Sequence, residues 1–89
     1  MIYLNITNEN MNLIRQYVPS FAENFEHVSG HKHRIPCDVY DEFREELIFA
    51  IEEYGMDNNY SLIPLGYKLQ NLYDILIRQA RQEQDTLRP

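Results

Sequence analysis

The sequence predicts a mainly α fold: a compact three-helix domain over residues 1–82, opened by a short N-terminal β-strand and followed by a frayed polar tail at 83–89. Three observations predict it. Apolar residues recur at helical spacing in three separate windows, strict alternation occurs at the N-terminus, and turn-rich stretches at 29–33 and 55–61 separate the windows. With 89 residues, 44% of them hydrophobic and 25% charged, the chain has the length of one domain and an ordinary globular mixture.

The opening MIYLNIT alternates Ile2, Leu4 and Ile6 with Tyr3, Asn5 and Thr7, the pattern of a strand with one buried face. A lone strand leaves its backbone groups unpaired, so it needs a partner. Pro36 biases Ile35 towards extended backbone, which makes the stretch around HKHRIP the candidate within the chain. The other candidate is the same strand of a second copy, which would give a homodimer.

After Asn8, read as an N-cap, a stripe of Met11, Ile14, Val18, Phe21, Phe25 and Val28 predicts the first helix, ending at Gly30. Pro19 falls inside it. A proline there removes a hydrogen bond and crowds the carbonyl of Arg15, at about 3 kcal/mol in a straight helix, so a kink or break is expected near Val18.

The second helix carries the clearest signals. Pro36 suits its entry, Asp38 is read as the cap, Asp41 and Glu42 place negative charge near its positive end, and Gly55 stops it. Tyr40, Phe43, Leu47, Ala50, Ile51 and Tyr54 form its core stripe. Acidic residues fill the opposite side, with Ile48 and Phe49 among them. The third helix starts near Leu62 or Pro64 and aligns Leu65, Leu69, Leu72, Leu76 and Ala80, with Tyr73 and Ile77 widening that face.

Residues 60–76, YSLIPLGYKLQNLYDIL, resemble the end of winged-helix regulators, where a short Y-S-L-T strand leads through P-x-G into a leucine-rich helix. Tyr60, Ser61, Leu62, Pro64, Gly66, Leu69, Leu72 and Leu76 carry the likeness, over about a fifth of the chain. Ile63 stands where threonine is usual, and no hairpin wing fits between Gly55 and Tyr60. The resemblance implies a winged-helix-like scaffold whose recognition position is held by an acidic helix that DNA would repel.

The net charge of −6 is unevenly placed. Between residues 37 and 61, Asp38, Asp41, Glu42, Glu45, Glu46, Glu52, Glu53 and Asp57 face only Arg44, a local charge of −7. Nucleic-acid binding needs cations to replace phosphate counterions, and the positive residues here are few and scattered. An acidic face with apolar residues at its centre instead suits a protein partner with a basic surface. Asp38, Asp41, Glu42, Glu45, Ile48, Phe49, Glu52 and Glu53 are the expected contact residues.

The stretch HVSGHKHRIPC gathers every histidine and the lone cysteine as H-x3-H-x-H-x3-C, a donor set zinc prefers. Its spacing matches no zinc module, since fingers separate their ligand pairs by a folded dozen or so residues. His27, His31, His33 and Cys37 are therefore read as connector residues, and no metal or cofactor is expected. Cys37 and a histidine would need a geometry that spacing alone cannot supply to act as a nucleophilic pair. The three glycines form no phosphate-gripping loop. An enzyme is not expected.

A single cysteine permits no internal disulfide, which points to a reducing compartment and a cytoplasmic location. The N-terminus has no basic region before an apolar run, and no window approaches the ~20 apolar residues of a membrane span. The functional expectation is a small acidic, cytoplasmic, non-enzymatic binding protein, of the inhibitory or accessory kind found in phages and mobile elements, acting as a protein docking surface or a nucleic-acid mimic. The alternatives are a winged-helix-like or metal-stabilised nucleic-acid-binding regulator, and a structural subunit that self-associates through the first strand.

Overall fold

Alternation places Ile2, Leu4 and Ile6 on the core side of the first strand, and all three are buried. The computed structural model describes residues 1–87, with side chains described through residue 82. Among the described residues the order is β1 (Ile2–Asn5), α1 (Asn8–Tyr17), α2 (Pro19–Ala22), β2 (Glu26–Ser29), β3 (Lys32–Ile35), α3 (Cys37–Tyr54) and α4 (Pro64–Leu87). The tail expected at 83–89 lies outside the residues whose side chains are described.

β1 finds its partner within the chain. It runs antiparallel to β3 with Ile2 opposite Ile35 and Leu4 opposite His33, and the Ile6 N–H donates to the His31 carbonyl at 2.8 Å. The other edge of β3 is taken by β2, so the sheet order is β1-β3-β2. On the far edge of β1 the Gln79 side-chain amide, from α4, accepts from the Asn5 N–H at 2.6 Å and donates to the Asn5 carbonyl at 2.9 Å.

The expected three helices become four, and the first is much shorter than its apolar stripe. Thr7, not Asn8, caps α1: its hydroxyl accepts from the Asn10 N–H at 3.1 Å. Val18 leaves helical geometry at φ −134 and ψ 53, and Pro19, which has no N–H to lose at a helix start, opens the one-turn α2. Beyond Ala22 the predicted helix gives way to a hairpin. β3 is the central strand and needs hydrogen-bond partners on both sides, which β1 alone cannot supply. Gly30, at φ +54, forms the β2–β3 turn. Phe25 stays buried, whereas Val28, expected on the core stripe, is exposed.

The hairpin thus precedes α3, while a winged-helix wing would follow it. In the stretch resembling winged-helix regulators, Leu62 makes an isolated bridge with Met56, and the loop between them is pinned by Asp57, whose carboxylate accepts from the Asn59 and Ser61 N–H groups.

The core lies between the helices and one face of the sheet. From α3 come Tyr40, Phe43, Leu47 and Ala50; from α4, Leu69, Leu72, Leu76 and Ala80. Phe43 is its aromatic centre, meeting Phe25 edge-on at 4.9 Å between centroids and Phe21 at 6.1 Å. Where α3 meets α4 the backbones nearly touch. A Cβ on Gly55 would lie 2.6 Å from the Gly66 Cα, and the Ile63 N–H donates to the Gly55 carbonyl at 2.9 Å. Gly55 and Gly66 therefore fix how α3 turns into α4, and so which side of α3 stays uncovered.

Candidate functional site

α3 begins directly after Pro36, which serves as its N-cap residue without a side-chain bond; Asp38, expected in that role, sits in the first turn. Because Tyr40, Phe43, Leu47 and Ala50 point inwards, helical periodicity sends the intervening residues outwards. Asp38, Asp41, Glu42, Glu45, Glu46, Glu52 and Glu53 are all exposed. Ile48 is 39% and Phe49 59% exposed, so every residue expected at the contact surface lies on the uncovered side of α3.

Within that face the arrangement around Phe49 is specific. Its neighbours three and four residues away on the helix surface are Glu45, Glu46, Glu52 and Glu53. A phenyl ring stands in a frame of four carboxylates. Glu45 and Glu52, like Glu46 and Glu53, are seven residues apart, or roughly 10 Å along the axis. Among the described residues none of the four carboxylates takes a hydrogen bond or ion pair within the chain. The frame is accordingly a set of solvated acceptors around an exposed apolar centre.

A groove flanks each side. Between α3 and the α1–α2 junction, a hollow of about 170 Å³ is walled by Tyr17, Pro19, Glu46, Phe49, Glu53 and Tyr54. Tyr54, expected in the core stripe, is instead exposed and packs on Tyr17 at 5.4 Å. Between α3 and α4, a second hollow of about 250 Å³ is walled by Ile48, Ile51, Glu52, Met56, Gln70 and Tyr73. Glu46 and the groove residues from α1, α2 and α4 were not among the expected contacts. The symmetric spacing of glutamates about Phe49 is a sequence signal for Glu46; the groove walls depend on helix packing.

Beneath this face, burial pushes the Tyr40 hydroxyl up to about 12, with Arg44 pulling weakly the other way. In the hairpin, the Arg34 guanidinium pairs Glu26 across β2 and β3 through two hydrogen bonds, at 3.0 and 2.8 Å, and holds its carboxyl below the usual range.

The histidines are structural neighbours only in part. His27 and His33 face each other across β2 and β3, their rings 5.5 Å apart. The His27 Nε2–H donates to the Gly30 carbonyl at 3.0 Å and the His33 Nδ1–H to the His31 carbonyl at 2.8 Å, so both imidazoles tie down the hairpin. His31 and Cys37 are exposed. Among the described residues no three His, Cys, Asp or Glu side chains converge as a metal site, and no helix is long and apolar enough to cross a membrane.

No family model matches this chain, and no curated protein or solved structure matches it either. The functional reading therefore rests on the geometry of α3.

Proposed function

We propose that the protein acts by binding another protein with a basic surface, docked on the outer face of α3. One observation carries this reading: Phe49 is 59% exposed at the centre of four exposed glutamates that have no partner among the described residues, with a groove on either side. A solvated face that served solubility alone has no use for an aromatic side chain at its centre. The carboxylates steer a basic partner and disfavour acidic ones, while Ile48 and Phe49 supply apolar contact area of the kind that dominates interface energies. An inhibitory or accessory role fits such a face, because occupying a basic surface on a partner also denies it to nucleic acid.

Affinity capture from the native host tests the reading, using wild type, Phe49→Asp and Tyr67→Ser. Tyr67 is exposed at the start of α4 and serves as the control. The expected result is one set of proteins recovered with wild type and Tyr67→Ser and lost with Phe49→Asp. Recovery of the same proteins by all three would place the interface elsewhere.

A further inference from the structure

Resting on that docking reading, we infer that the partner presents an arginine whose guanidinium lies over the Phe49 ring and bonds to the surrounding glutamates. Among the described residues none donates to Glu45, Glu46, Glu52 or Glu53, which stand as exposed acceptors on this face, so the complementary group is a donor. It must also be compatible with an aromatic face, which carries negative charge density and attracts cations. A second copy of the same face would bring carboxylate against carboxylate, which excludes self-association through it.

Of the two basic side chains, arginine answers both demands at once. Its guanidinium is planar, weakly hydrated and able to stack on a ring, and its forked donors match a carboxylate in two parallel hydrogen bonds. Lysine is a strongly hydrated point charge that pairs with a carboxylate but gains less over a ring. The single aromatic residue at the centre of the frame also distinguishes this site from the multi-ring cages that hold methylated ammonium groups. The seven-residue spacing of Glu45 with Glu52 and Glu46 with Glu53 suits a partner helix carrying its own arginines two turns apart, with an aliphatic side chain entering the groove beside Ile48.

Three labelled helical peptides test this at low ionic strength by fluorescence anisotropy. One carries arginines seven residues apart beside a leucine seam, the second replaces each arginine with lysine, and the third scrambles the first. The expected order is arginine peptide tightest, lysine peptide roughly three- to fivefold weaker, scrambled peptide weakest. Phe49→Leu, which keeps an apolar side chain and a helical residue, should remove the arginine preference, so that the arginine and lysine peptides bind this variant equally. Glu45→Gln combined with Glu52→Gln should weaken both.

Equal binding of the arginine and lysine peptides, an arginine preference that survives Phe49→Leu, or no binding by any peptide would each overturn the inference. Those outcomes leave the docking reading to the Phe49→Asp capture result, which does not depend on which basic residue the partner uses.

Discussion

Tyr40 and Phe49 sit on one helix with opposite fates: the first is 4% exposed under the sheet of side chains that closes the core, the second stands in solvent. Burial of the Tyr40 ring disfavours its phenolate, which raises the hydroxyl from 10.0 to about 12. In the unfolded chain that proton leaves near pH 10. The stabilisation is therefore complete below about pH 10 and is lost as pH rises towards about 12, because deprotonation then favours the unfolded state. Denaturant midpoints measured across that window should fall more steeply for wild type than for Tyr40→Phe. Parallel curves would mean that the Tyr40 hydroxyl contributes nothing to the alkaline loss. Phe49 should show the reverse behaviour, with substitutions that change binding and leave stability within about 0.5 kcal/mol, as is usual for exposed sites.

Elements differed in how far the sequence could specify them. α3 and α4 were legible because their stripes are long and end in turn residues, and the exposure of Ile48 and Phe49 followed directly from the α3 stripe. The hairpin at 26–35 was not. Phe21, Phe25 and Val28 satisfy helical spacing, yet Phe25 reaches Phe43 from a turn and Val28 points to solvent from β2. Gly30 is equally ambiguous, since the left-handed backbone that ends a helix also makes a tight hairpin turn. What decided between them was the demand of β3 for a second partner, a tertiary fact that no local window contains. The grooves beside Phe49 were illegible for the same reason. At the α3–α4 junction the sign of a single substitution tests the packing. Gly66→Ala would gain up to about 1 kcal/mol in an ordinary helix interior. Here a Cβ would press on the Gly55 carbonyl, so a loss of roughly 1–3 kcal/mol is expected in chemical denaturation. A stabilised variant would show that the two backbones can separate at little cost.

Over the whole molecule, the charge distribution sets stability against use. Asp38, Glu42 and Glu46 follow one another at four-residue intervals, and Asp41 with Glu45 adds another like-charge pair of the same spacing. Each such pair costs about 0.2–0.5 kcal/mol, so the face is a strained element in the isolated protein. Glu42→Lys converts two of these repulsions into attractions. It should raise unfolding free energy by about 0.8–2 kcal/mol at low salt, shrinking as salt is added, while weakening capture of a basic partner. If the gain persisted unchanged in high salt, its origin would be helix propensity instead of charge.

The clasp between Asn5 and Gln79 has a further consequence, for synthesis on the ribosome. The two residues are 74 positions apart, so the outer edge of β1 receives its final partner only after most of the chain has been made. β1 must also wait for β3, and the core residues of α4 arrive last of all. Until then the nascent chain carries an apolar strand with an open edge, the kind of segment that recruits chaperones or pairs with neighbouring chains. β1 is thus translated well before the elements that secure it, and the yield of folded protein should depend on how quickly residues 64–80 follow.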